Sequence, residues 1–290
     1  MLTLAAADIE THPRFVETLR LQASALLAIQ AADPRTAGIF ATQQRWLLAH
    51  LALAMYFERA VSIQPDGLLA SHFLASAAAH EVASRNTADA FLKEMIKYGY
   101  VTRSPGGRDR RSRPLAVGSV ALRAIEGWTR VHLASLDRLD GADRSGRFEA
   151  CPGLIERIHP RIARGLLESA AVREPAPTFS LFTWLNEGGV VMDWLYAGLA
   201  DFTPDAKRVS TAVAAFADFS DRIRLSRSHL ARKLRAAEDL GSLGWSGERG
   251  GSPMWVSMSF VREYHAQQAA KLAIIDGAFW RVVDDRDGGA

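Results

Sequence analysis

A pattern that returns at a fixed interval constrains this chain more than any other feature. Ser84-Arg85 recurs as Ser226-Arg227, Leu92 as Leu234 and Gly99 as Gly241, each pair the same 142 residues apart (84 to 226, 92 to 234, 99 to 241). A second echo, His12-Pro13-Arg14 and His159-Pro160-Arg161, is spaced by 147. Self-similarity over such an interval implies one copied supersecondary unit, so the halves are expected to fold alike. A length of 290 residues suits two domains better than one.

Alanine and leucine fall at helical spacing through most of the chain, and alternating runs are scarce, which predicts a mainly α framework with short β pieces. The pattern breaks near residues 100–117 and 242–257. Each break follows an amphipathic helix that ends in glycine and precedes another long helix, which is the position of a β-hairpin wing. The first copy therefore reads as helices near 12–32, 40–61, 66–80, 84–98 and 118–139. The second reads as helices near 160–171, 179–200, 205–221, 226–240 and 258–281. Pro13 and Pro160 are placed in the first turns of their helices, where a missing N–H costs nothing. The expected fold is thus mainly α with small β-hairpin wings: tandem winged helix-turn-helix domains at 1–140 and 154–283, a linker at 141–153 and a disordered tail at 284–290.

Thirty-five basic against 32 acidic residues leave a formal charge of +3, so affinity for polyanions has to come from local arginine clusters. One cysteine, Cys151, excludes an internal disulfide framework and a cysteine-rich zinc site. Met1–Glu10 has no basic leader region, and the strongest apolar run, Trp46–Phe57, is too short to span a bilayer; the expectation is a cytoplasmic protein without a membrane partner. P-loop, G-x-S-x-G and HExxH patterns are missing, and Gly244-Trp245-Ser246-Gly247 falls short of a nucleophile elbow. The chain is read as a non-enzyme with no catalytic residues, no metal and no cofactor.

Ser84 suits a helix cap, with Ala88, Leu92, Met95 and Ile96 facing inward and Arg85, Asn86, Thr87, Asp89 and Lys93 on the open side. Asparagine pairs with adenine and arginine with guanine in a major groove, so this helix start carries base-reading chemistry. The next segment gathers Arg103, Arg108, Asp109, Arg110, Arg111 and Arg113 around Gly106-Gly107, a basic turn that suits phosphates or a minor groove. In the second copy charge shifts from turn to helix: Arg227, Ser228, His229, Arg232 and Lys233, with Arg249 as the remaining wing cation.

Gly107-Arg108-Asp109-Arg110-Arg111-Ser112 followed by Leu115 and Val117, after the Ser84–Gly99 helix, resembles the D-x-R wing of the MarR family of transcriptional regulators. The resemblance covers roughly residues 40–139. It implies a DNA-binding regulator, with double-stranded DNA as partner, in which Arg111 enters the minor groove and Asp109 shapes the wing. It also implies two fused copies in a pseudo-two-fold dimer-like arrangement, the helices at 12–32, 118–139, 160–171 and 258–281 forming the shared interface. A small aromatic or phenolic effector is implied as well, with Trp46, Tyr56, Trp128 and Trp194 as its expected contacts. The second copy departs from the pattern, since Ser246-Gly247-Glu248-Arg249-Gly250-Gly251 lacks D-x-R. Unlike reading helices predict an asymmetric operator bound by a monomeric pseudo-dimer, with a homodimer as the alternative. Two other classes stay open: a replication-initiator or architectural DNA binder with tandem winged helices, and a winged helix interaction module without DNA affinity.

Overall fold

A computed structural model describes residues 3–40, 42–61, 68–103, 114–183, 188–213 and 227–287. Among the described residues the fold is mainly helical (70%) with small antiparallel sheets. Up to the first hairpin it forms α1 (Ala6–Glu10), α2 (Phe15–Ala32), α3 (Pro34–Ile39), α4 (Gln43–Val61), α5 (Ala70–Ala79) and α6 (Arg85–Lys97). Strands β1 (Val101–Arg103) and β2 (Leu115–Val117) follow, then α7 (Ser119–Asp140) and α8 (Arg144–Ala150). The remainder is α9 (Leu154–Glu168), α10 (Ala170–Arg173), α11 (Pro177–Thr183), α12 (Gly188–Ala197), β3 (Arg208–Ser210), α13 (Arg227–Asp239), β4 (Leu243–Trp245), β5 (Met254–Ser257) and α14 (Met258–Asp287). Among the described residues, no helix is long and apolar enough to cross a membrane.

The 142-residue interval is written into the backbone hydrogen bonds. Ser84 caps α6 by accepting from the Thr87 N–H, and Ala88, Phe91, Leu92 and Met95 form its buried stripe. The helix stops at Gly99, at φ +77°, where Tyr98 N donates to Glu94 O, Gly99 N to Ile96 O and Tyr100 N to Met95 O. After α13 the same three bonds recur at Leu240, Gly241 and Ser242, with acceptors Ala236, Glu238 and Ala237, and Gly241 sits at φ +68°. Only glycine adopts this left-handed conformation without steric penalty, and it frees the chain to leave the helix as a strand.

Each strand pair is closed by the same contact, Gly118 N to Tyr100 O and Ser257 N to Ser242 O, both 2.8 Å. β1 pairs with β2 in the register Val101↔Val117 and Arg103↔Leu115, and Leu68 adds a bridge to Leu115. The second sheet has the order β3-β5-β4, with Leu243↔Val256 and Arg208↔Ser257. Side-chain volume is traded across equivalent strand pairs: Thr102 faces Ala116, whereas Gly244 faces Trp255, whose ring lies where a Gly244 Cβ would stand.

Two compact units result, and they interleave along the chain. The first comprises Met1–Leu4, Gln44–Ser169 and Ala273–Ala290; the second comprises Ala5–Gln43 and Ala170–Leu272. Thus α2, which precedes the first hairpin module, belongs to the second unit, and α9, which precedes the second, belongs to the first. The expected boundaries at 140 and 154 follow the copies in sequence, whereas the compact units exchange these helices.

Four local expectations change. Residues 141–153 are not simply a linker, because α8 lies within them, its N-terminus capped by Asp143 accepting from Gly146 N. Pro160 lies inside α9 rather than opening it: the buried stripe Leu154, Ile155, Ile158, His159, Ile162, Ala163, Leu166 and Leu167 runs through the proline and sustains the helix on both sides. Where a helix is expected at 205–221, residues 208–210 form β3, since Val209 is buried between exposed Arg208 and Ser210, a period of two; residues 214–221 lie outside the described residues. The helix α14 continues to Asp287, through most of the expected tail.

The first unit is held by a buried ion network that α8 creates. Arg144, 0% exposed, places Nε 2.7 Å from Asp276 Oδ1 and Nη2 2.7 Å from Asp140 Oδ2, and Asp137 Oδ1 accepts from its backbone N–H at 2.8 Å. Burial alone would raise Asp140, yet the Arg144 hydrogen bond, the Ala142 N–H and the Arg144 charge together hold it below the usual carboxylate range. Asp276 is itself fully buried, so losing the guanidinium leaves an uncompensated acid in the core. Arg144→Ala is expected to destabilise the protein by about 3–5 kcal/mol, read as a lower urea midpoint. A midpoint within error of wild type would refute the role given to this network.

Candidate nucleic-acid interface and a buried histidine cluster

The α6 side chains expected to read bases stand on the solvent side of the helix. Arg85, Asn86, Thr87 and Lys93 are exposed, while Ile96, expected inward, is half-buried and Phe91 takes a core position instead. Lys93 pairs with Asp89 at 2.6 Å, an exposed i,i+4 contact that costs little to rearrange. The tilt of α6 is set from behind by Arg45 of α4, which forks onto both Glu94 oxygens at 2.9 and 3.0 Å and lies over the Phe91 ring. Arg103 is exposed at the end of β1, whereas Arg108, Asp109, Arg110, Arg111 and Arg113 lie outside the described residues.

In the second module Ser228 and Arg232 are exposed, and His229 and Lys233 half-buried; the side chain of Arg227 lies outside the described residues. Arg249 is met by Glu238 of α13 at 2.8 Å, so the expected wing cation is already partnered by an acid. The turn is tied to itself, Gly247 N donating to Ser252 Oγ and Ser252 Oγ to Glu248 O. Arg208 lies 3.9 Å over the Trp255 ring and is exposed, a cation on this sheet that the sequence reading did not single out.

Two of the four expected effector residues come together within one unit. Trp46 and Trp128 come together in the first unit with centroids 6.1 Å apart, Tyr56 packs against Phe57, and Trp194 belongs to α12 in the second unit. What joins the two tryptophans is a set of histidines missed by the sequence reading. His50 lies edge-on to Trp46 at 4.5 Å and to Trp128 at 5.0 Å, and Trp128 lies 4.1 Å from His132. The ring of His50 stacks on His159 of α9, with Nδ1 3.1 Å from Nε2. Burial drives His159 down to about 3, so it is neutral at any ordinary pH. The signal was present as Trp46-x-x-x-His50 and Trp128-x-x-x-His132, since i,i+4 spacing sets two rings on one helix face.

The second unit buries a different polar set among α2, α12 and α14. Tyr264 donates to Asp193 Oδ1 at 2.7 Å, Tyr196 meets His265 Nε2 at 2.7 Å, and the tyrosine rings stack at 4.3 Å. Phe15 of α2 lies edge-on to His265. Burial raises Asp193 to about 6, against the opposing pull of the Tyr264 hydroxyl and the Lys271 charge. It also lowers His265 to about 4.

No cluster of metal-ligating side chains occurs among the described residues. Comparison with protein-family models, with curated proteins and with solved structures returns no match.

The titrations of Asp193 and the histidines oppose one another. A carboxyl raised on folding penalises the native state above its folded value of about 6, so acidification relieves that penalty. Histidines lowered on folding contribute stability that is complete above about 6.5 and is lost as pH falls toward 3 or 4. The difference between wild type and Asp193→Asn isolates the carboxyl. The variant is expected to have its largest stability advantage at pH 7.5 and to lose it only as pH falls toward 3.8, measured as paired urea midpoints. An advantage independent of pH would contradict the assignment.

Proposed function

We propose that the chain is a DNA-binding transcriptional regulator built from tandem winged helix modules, resembling a MarR-type dimer fused into one polypeptide. The observation that carries this reading is the repeated module: a helix with an exposed polar face, a left-handed glycine, an antiparallel strand pair closed by one backbone bond, and a long helix. The assignment of α2 to the second compact unit and of α9 to the first supports a fused pair. Double-stranded DNA fits the exposed Arg85, Asn86, Thr87 and Lys93 at the start of α6, where arginine and amide side chains match base edges. In this reading Arg111 supplies the minor-groove contact and Arg103 a phosphate contact. A small aromatic effector fits the Trp46–Trp128 cluster.

The second module contributes differently. With Arg249 partnered by Glu238, phosphate contact there falls to α13 through Arg232 and Lys233, and to Arg208 on its tryptophan. Two unlike reading surfaces make the preferred site asymmetric.

Enrichment of duplexes from a randomised pool is the direct test, and an asymmetric site with two unlike halves about one helical turn apart is expected. With about six phosphates neutralised, log K falls against log salt with a slope of about −5. Arg85→Ala and Asn86→Ala each lose about 1–3 kcal/mol and relax preference at one base pair, whereas Arg103→Ala weakens all sequences alike. No enrichment together with a flat salt response would overturn the reading in favour of a protein-interaction module.

A further inference from the structure

We propose that the outer face of the second sheet binds single-stranded nucleic acid, by stacking an unpaired base on the guanidinium that Arg208 lays over Trp255. This rests on the nucleic-acid part of the reading above and not on groove reading by α6.

The face is defined by alternation. Along β5, Met254 and Val256 are buried while Trp255 and Ser257 are half-buried, so the latter two stand outward. Residues paired across a sheet share a face, which puts Ser210 of β3 and Gly244 of β4 on either side of Trp255, and Arg208 beside Ser257. Three contacts then fix the Trp255 ring. It fills the space that a Gly244 Cβ would take, its Nε1 donates to Trp245 O at 3.2 Å, and Arg208 covers it with Cζ 3.9 Å from the ring centroid. That separation is contact between two flat groups, so the guanidinium lies on the face of the ring. Arg208 nevertheless stays exposed, which leaves its side away from the ring open to solvent.

The chemistry of this surface selects its partner. A planar cation backed by an indole offers a flat face to a base and N–H donors to a phosphate. Lys207, the preceding residue, is exposed too, and among the described residues no acid pairs with either cation. Asp205, the nearest acid in sequence, is held by the Thr203 side chain. Inside a duplex each base has both faces covered by its neighbours, so only an unpaired base uses the platform in full. The first hairpin has Thr102 and Ala116 where the second has Gly244 and Trp255, so the platform belongs to the second module and not to the repeat.

The experiment is fluorescence anisotropy of the intact chain with a labelled thymidine strand of about 12 nucleotides and, separately, with an abasic strand of the same length and charge. The thymidine strand is expected to bind at least about tenfold tighter than the abasic one. Arg208→Lys keeps the charge on an exposed position and removes the flat face; it is expected to cut that preference by about fivefold or more, and Trp255→Leu to cut it as well. Equal binding of the two strands, a preference retained by both variants, or no binding of the thymidine strand would overturn the proposal; the first result would mean phosphate contact alone. Duplex enrichment is scored separately. An enriched duplex site without thymidine-strand binding sinks this proposal and leaves the operator reading, and the converse sinks the operator reading and leaves this one standing.

Discussion

The architecture turns on a single backbone event, the entry into left-handed conformation at Gly99 and again at Gly241. A helix carrying an exposed polar face must stop where its apolar stripe ends, or its next turn would project beyond the core. At both sites the last carbonyls are taken by the following N–H groups, including the bonds Tyr100 to Met95 and Ser242 to Ala237. The chain then leaves at a fixed angle as a strand, and the returning strand is locked by a second bond to the same residue, Tyr100 or Ser242. Helix, strand pair and following helix are therefore mutually oriented by a few main-chain contacts. The first is crowded as well: a Cβ on Gly118 would lie 2.7 Å from the Gly99 carbonyl oxygen.

Equivalent junctions of three helices are filled by opposite chemistries in the two units. The first, from α4, α7 and α9, buries histidines between tryptophans; the second, from α12, α14 and α2, buries tyrosines, Asp193 and His265. Apolar side chains would have packed either site without desolvation cost, and buried polar networks are stabilising only when every member is satisfied. The second unit accordingly pairs its hydroxyls with Asp193 and His265. Unpartnered buried polar atoms nonetheless remain in both units, His159 Nδ1 and Thr129 Oγ1 in the first and Gln22 Oε1 of α2 in the second.

Much of this was legible in the sequence because it is local. Ser84, Gly99 and Gly241 mark helix ends through their own backbone preferences, and the exposed face of α6 follows from a 3.6-residue period. What escaped depends on distant partners. Residues 141–153 read as a linker because Gly141 and Gly153 flank, and Gly146 lies within, a short helix whose order comes from Arg144 meeting Asp276, far along the chain. Pro160 is retained within a helix by tertiary burial on both sides of it, and propensity does not register that. The ring pairs Trp46–His50 and Trp128–His132 were visible as spacings, but His159 joins them from a third helix, and the exchange of α2 with α9 has no local signature at all.

The differences between the two modules are linked rather than scattered. The second inter-strand turn, residues 246–253, is three residues shorter than the first, residues 104–114. The shortened turn closes on itself through Ser252, and its one arginine folds back to Glu238 on the helix behind it. Gly244 admits Trp255 across the sheet, and that ring in turn supports Arg208 on the opposite edge strand. In sequence terms, charge lost from the turn reappears at the sheet edge as Arg208 and on α13 as Arg232 and Lys233. A pair of identical modules would offer DNA the same surface twice. In the reading proposed here, one chain carries two surfaces with differently placed cations, so the orientation of the bound site is set within a single polypeptide and needs no second copy to define it.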